Sequence, residues 1–330
     1  MKLGFVKAGG ILHNFAMRYL LPVLLFGTAF AFEAPRGAFY APAPSARAWG
    51  IGRNTAITLD PLSTIDNPAL LSLLSGQSGS SSFRVSSDGF PRNTMFMGLS
   101  LHGENSAFSY LPSVKMSDYE STYFQVEGDD TMEVCEKAKF SRDVYLLQSA
   151  SAQPLSASGS VVGIGLNVKY FQSRLLLARA ITGDEGTGVD LIAESGRGVG
   201  VDIGFLLSSG PFKVGISVRN LASKIWWKSI KDVVPPRILM LGISLDPLDV
   251  MGFRAGLRKG RDEYIPSFGF EVHSGGKSLR GGLYREGEEF TYTFGFGYSI
   301  PKAIFDFAFE KRSGDNDYRG ILSVNLISIQ

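Results

Sequence analysis

Residues 290–298 read Phe-Thr-Tyr-Thr-Phe-Gly-Phe-Gly-Tyr. A large ring stands at every second position, with threonine or glycine between. A helix would scatter these rings around its surface, whereas an extended strand puts all of them on one face. The same period recurs along the chain. Val162, Ile164, Leu166, Val168 and Tyr170 alternate with Gly163, Gly165, Asn167 and Lys169. Val199, Val201, Ile203 and Phe205 alternate with Gly200, Asp202 and Gly204. Val214 to Val218, Leu239 to Leu245, Phe305 to Phe309 and Leu322 to Leu326 follow suit. Ser209-Gly210-Pro211, Asp246-Pro247, Gly275-Gly276 and Glu286-Gly287 punctuate the runs as turns. About fourteen strands can be counted, many of roughly nine to ten residues, the length of a tilted membrane strand.

Alternation alone does not say which face meets water. The minor face is mostly Gly, Ser, Thr and Asn with scattered charges. A soluble sandwich or barrel of this size would have to fill a wide apolar interior, which those residues do not supply. A barrel with its apolar face outward to lipid and its small polar face toward a hydrated or loosely plugged lumen fits better. Lys169, Asp202, Arg219, Arg254, Arg258, Glu271, Asp306 and Glu310 belong to that minor face and are expected to pair across the lumen. The expected fold is therefore all-β: a transmembrane antiparallel barrel of about fourteen strands.

The N-terminus agrees with export. Met17 to Ala31 read MRYLLPVLLFGTAFA. Arg18 is a positive n-region, Leu20 to Phe26 a short apolar core, and Ala29-Phe30-Ala31 an A-x-A-like cleavage site. Residues 1–31 are expected to be a signal peptide, with Met17 as an alternative start; residues 32–78 form an N-terminal segment, and 79–330 the barrel. No apolar run reaches the length of about 20 residues that a spanning helix needs.

Composition excludes several functions. Net charge is +2 over 330 residues, so no basic field suggests nucleic acid. The single cysteine, Cys135, cannot build a disulfide framework or a thiolate zinc site. His13, His102 and His273 are far apart, and no G-x-S-x-G nucleophile motif occurs. Neither catalytic residues, metal ligands nor a cofactor are expected. Gly50-Ile51-Gly52 lacks the third glycine of a phosphate loop, Thr55 standing in its place.

Residues 45–74, SARAWGIGRNTAITLDPLSTIDNPALLSLL, are the most specific segment. Ala46-Arg47-Ala48-Trp49-Gly50-Ile51-Gly52, Asp60 and Asn67-Pro68-Ala69 resemble the N-terminal signature of the PorV/PorQ group, which is related to the FadL-type barrels. Val218-Arg219-Asn220-Leu221, followed by Pro235-Pro236, resembles a second segment of that group. The resemblance implies a fourteen-stranded barrel with residues 32–78 tucked into the lumen as a hatch. It leaves the role open: passage of hydrophobic molecules, a surface barrel binding secreted proteins or secretion machinery, or a structural barrel. Gly50, Gly52, Asp60, Asn67, Pro68 and Ala69 are the hatch positions it marks.

From the residues themselves, Asn67 caps a short helix with Pro68 at its favoured first position. The hatch is read as a short strand, a turn and one or two helical turns, acting either as a displaceable plug or as filler. Trp226-Trp227, between Lys224 and Lys228, reads as an interfacial girdle or as an apolar platform at the mouth. The acidic stretch from Glu127 to Glu136 and the Gly-rich stretch 183–198 read as external loops. The expected partners are outer-membrane lipid together with a hydrophobic ligand or a secreted protein, in the outer membrane of a Gram-negative-type bacterium.

Overall fold

The computed structural model describes residues 43–74, 76–86, 94–112, 119–127, 130–155, 159–183, 186–228, 232–260, 263–314 and 318–327. The expected signal peptide and residues 32–42 lie outside these. One antiparallel sheet contains fifteen strands. They are β1 (Ser78–Ser86), β2 (Thr94–His102), β3 (Ser106–Leu111), β4 (Tyr119–Glu127) and β5 (Asp130–Pro154). Then come β6 (Val161–Gly183), β7 (Gly186–Ser209), β8 (Phe212–Trp226), β9 (Ile238–Leu248) and β10 (Met251–Lys259). The last are β11 (Tyr264–Ser274), β12 (Lys277–Glu286), β13 (Glu289–Ile300), β14 (Ala303–Arg312) and β15 (Tyr318–Ile327).

Sequential strands are neighbours except β3 and β4, β1 also pairs with β15, and β3 pairs with β5. The sheet thereby closes into a ring of fourteen strands, leaving no long open edge. β4 stands outside the ring: β5 pairs with β3 from Val144 to Ser149 and with β4 from Asp130 to Ala138. Among the described residues no helix is long and apolar enough to cross a membrane.

Ser78 opposite Ile327 marks one end of the barrel, here the near end, where two-residue turns join β7 to β8 and β11 to β12. The turn between β11 and β12 is two residues, Gly275 and Gly276, at φ 54° and 76°. Both need the left-handed region, which makes glycine the natural choice. The far end is taller. β5, β6 and β7 run 25, 23 and 24 residues, about twice what a lipid-spanning strand needs. The expected external loops at Glu127–Glu136 and 183–198 are therefore corrected: both lie largely in strands of tall hairpins. Ladder pairing with neighbours satisfies their backbone groups even where the side chains are polar or absent.

The apolar faces point outward and are exposed, as with Phe294, Phe309 and Leu147, while the minor-face residues are buried. Of the two states expected for the lumen, hydrated or loosely plugged, the plugged one is found at this level. Residues 43–74 run through the barrel and are almost entirely buried there.

Candidate functional site: the hatch and the lumen above it

The hatch opens with helix α1 (Ala46–Gly50), capped by Ser45, whose hydroxyl accepts from Ala48 N–H at 3.0 Å. Two 3₁₀ turns follow, Pro61–Ile65 and Pro68–Leu73. The short strand expected after the first motif is absent from the described hatch. A closed wall offers that segment no strand edge to pair with, so turns and side-chain caps satisfy its backbone instead. Asp60 caps the first 3₁₀ turn by accepting from Leu62 N–H at 2.9 Å. Asn67 caps the second by accepting from Ala69 N–H at 3.1 Å, and its amide donates to Ala56 O at 2.7 Å. Pro68 occupies the first position of its turn, where no N–H is missed. Ala69 is fully buried against Ile57, Leu70 and Leu206.

The wall meets the hatch with glycine. A Cβ on Gly165 would strike the Pro68–Ala69 peptide, and one on Gly204 the Asn67 amide. One on Gly215 would strike Ala56 O, and one on Gly269 or Gly282 the backbone at Ile51. These glycines sit on adjacent strands: Gly165 faces Gly204, Gly215 faces Gly242, and Gly269 faces Gly282. The minor-face glycines therefore form a track in which the hatch backbone lies. Gly50 and Gly52 are the reciprocal case. Gly50 packs on Gly295, and Gly52, at φ 76°, leaves no room for a Cβ beside Phe268 O and Leu283 O.

Ion pairs fasten the hatch to the wall. Arg47 holds Glu271 with two hydrogen bonds of 3.1 and 2.8 Å, and Glu271 also accepts from Arg280, which continues to Asp306 at 2.6 Å. Arg53, at φ 60°, lies between the rings of Trp49 (4.3 Å) and Tyr284 (4.6 Å) and grips Glu310 at 2.7 Å. Arg219 holds Asp66 at 2.8 Å. Asp60 is buried without so close a cation. Burial, with Asp306 nearby, raises its carboxyl above the usual range, against the pull of Arg47. Arg219 and Asn220 form a bulge in β8 opposite Asp202, which accepts from Asn220 N–H at 2.7 Å and pairs with Lys169 at 2.5 Å. The pairing expected across the lumen is corrected: the minor-face charges pair with near strands of the same wall, as Lys169 with Asp202 and Arg280 with Glu271 and Asp306, or with the hatch, as Glu271 with Arg47, Arg219 with Asp66 and Glu310 with Arg53.

Above the hatch the lumen changes character. On β6 the inward series Gly163, Gly165, Asn167, Lys169 continues as Phe171, Ser173, Leu175 and Leu177. These apolar side chains join Phe140, Val144 and Leu146 of β5, Ile225 of β8, and Leu62 and Ile65 of the hatch in one buried cluster. Trp227 closes its far side, with its ring 6.2 Å from Phe140 and against Gly196. The two neighbouring tryptophans thus part company: Trp226 faces outward, 45% exposed, and Trp227 inward, 8% exposed. Where the column meets the hatch, a cavity of about 10 Å³ lies among Ile65, Val144, Lys169, Phe171 and Arg219, the size for a water. A second, of about 20 Å³, lies beside Asn54 and Arg258. The column was missed in the sequence. Its signal is Leu175-Leu176-Leu177, an unbroken apolar run within a strand, which puts apolar groups on both faces.

No protein-family model matches the sequence, and no curated protein matches it. Solved structures do share the fold. A monoaromatic hydrocarbon channel, CymD, is 12% identical with a TM-score of 0.51, covering 91% of this chain and 100% of its own. The deltaS2S3 mutant of the monoaromatic hydrocarbon channel TodX is 10% identical with a TM-score of 0.51, covering 88% and 100%. At this identity the likeness is one of fold, a closed antiparallel barrel, and both neighbours are described as channels.

Proposed function

We propose that this protein is an exported outer-membrane barrel that passes small hydrophobic molecules. The observation that carries the reading is the apolar column inside the lumen, bounded by Trp227 at the far end and by Leu62 and Ile65 of the hatch below. A water-filled pore would have no use for apolar groups on its inner face, since burying them there against one another leaves no path for ions. A neutral hydrocarbon exchanged for these side chains keeps the column dry. Passage then requires the hatch to yield, because its backbone fills the glycine track. The test is flux in vesicles containing the refolded protein. A neutral aromatic hydrocarbon should equilibrate faster than in protein-free vesicles, and Leu177→Glu should abolish the gain. Equal rates with and without protein would sink the proposal.

A second reading, nearer the PorV/PorQ resemblance, is a surface barrel that holds a secreted protein. One observation favours it. The tall β5–β7 wall carries outward Leu176, Val189 and Leu191, 44%, 72% and 65% exposed, beyond the polar Gln172 and Arg197 that end the lipid-facing stripe. Native mass spectrometry of protein extracted gently from its own membrane separates the two. Bound hydrophobic ligand supports passage, and a co-purifying secreted protein supports the second reading.

A further inference from the structure

On strand after strand, the outward apolar series ends at the far rim in a cation. Leu257 is followed on the same face of β10 by Lys259, Leu283 on β12 by Arg285, and Phe309 on β14 by Lys311. On β7, Arg197 precedes Val199, and on β6, Arg174 lies two outward positions beyond Tyr170. All five are exposed. Each of the three on β10, β12 and β14 lies over a ring of the next strand: Lys259 over Tyr264 (4.9 Å), Arg285 over Phe290 (5.8 Å) and Lys311 over Tyr318 (5.0 Å). Lys224 over Trp226 (6.0 Å) repeats the device on β8.

Among the described residues no carboxylate pairs with Arg174, Arg197, Lys259, Arg285 or Lys311. Two acidic residues of that region are already engaged: Asp232 pairs with Lys224 at 2.8 Å, and Asp143 accepts from Tyr110 OH at 3.2 Å. Glu133 stands farther out along β5. The near end differs. Its outward strand ends include Phe212, Leu245, Met251 and Ile300, with the cation Lys277. Aromatic rings set the depth of a membrane protein at the headgroup plane, and Lys259, Arg285 and Lys311, each directly opposite its ring in the sheet, stand level with it among the headgroups. There each Lys or Arg attracts anionic lipid.

We propose that the outward cations of the far rim without a carboxylate partner, Arg174, Arg197, Lys259, Arg285 and Lys311, bind the phosphate groups of anionic lipids in the leaflet at that end. The arginines take phosphate through two N–H donors, and the lysines act as point charges. The spread around the rim fits a shell of lipids rather than one molecule. This needs the barrel to sit in a bilayer, and does not need anything to pass through it.

The test uses the full refolded chain in phosphatidylcholine vesicles doped with bisphosphorylated lipid A or with its dephosphorylated form. After gentle extraction, native mass spectrometry counts the glycolipid retained. The bisphosphorylated form should be retained over the dephosphorylated form, less so as salt rises. Joint substitution of Arg174, Arg197, Lys259, Arg285 and Lys311 by Gln should lower that retention at least about tenfold. The near-end pair Lys277→Gln and Lys302→Gln should not. Heat-dependent gel mobility in the same vesicles reports that each variant is folded and inserted. If the fivefold variant does not insert, R174Q and R197Q are measured singly, each with a smaller loss in the same direction. Retention indifferent to phosphate, or lost equally with the near-end pair, overturns the proposal.

Discussion

Asn67 is buried and serves the hatch twice, as the cap of one turn and as the tie to Ala56 O. Replacing it by Ala removes a cap and leaves buried polar groups without partners, which should cost on the order of 2 kcal/mol. Because those bonds lie within the hatch and not in the ladders, the loss should fall on the hatch. Asn67→Ala should make residues 43–74 accessible to protease while the heat-dependent gel shift of the barrel is retained. Equal loss of both would show that hatch and barrel are one cooperative unit. Asn67 and Pro68 were legible in the sequence because capping is local: it needs only the residue, its φ and two N–H groups ahead. Asp60 was marked only by the resemblance, and its cap on the Pro61–Ile65 turn was not read in the sequence. The glycine track was not legible either. The minor-face glycines read only as lining a hydrated or loosely plugged lumen, since nothing local says that another backbone lies against Gly165 or Gly204.

Strands were legible for a different reason. Alternation is a long-range pattern repeated over whole segments, so β13 and β6 announce themselves in the sequence alone. The upper halves of β5 to β7 do not, because a hairpin outside the lipid has no need of a lipid-facing stripe. The hatch strand expected after Gly52 failed because a sequence does not show whether an edge is free. Trp226 and Trp227 show what the period does over a single step. Adjacent residues of an extended chain point to opposite faces, so one joins the outer rim and the other enters the lumen. They should therefore separate in experiment. Trp227→Ala should weaken binding of a fluorescent hydrophobic probe by the detergent-solubilised barrel by about tenfold. Trp226→Ala should leave probe binding unchanged. Titration of both variants decides it, and equal weakening would mean that the probe binds the outer wall.

The molecule as a whole is two closures, one inside the other. The ring of fourteen strands closes on itself with β4 outside it, and the hatch fills the lumen at its level. Ion pairs hold the second to the first at several points, among them Arg47 to Glu271, Arg53 to Glu310 and Asp66 to Arg219. A buried carboxylate stripped of its cation is expensive, so these fastenings resist piecemeal release. Movement as a unit therefore competes with movement of one part while the rest stays in its track. A crosslink distinguishes them. Ala46 N–H donates to Ser323 Oγ at 2.9 Å, which places the start of the hatch directly on β15. Cysteines at 46 and 323, with Cys135 replaced by Ser, should form a crosslink on oxidation. If the hatch must leave its track as a whole, hydrocarbon flux should fall to the protein-free level when crosslinked and return on reduction. If flux persists with the crosslink closed, the α1 end stays fixed and the path opens beyond it, on the side of the Pro68–Leu73 turn that meets β5, β6 and β7 beneath the apolar column.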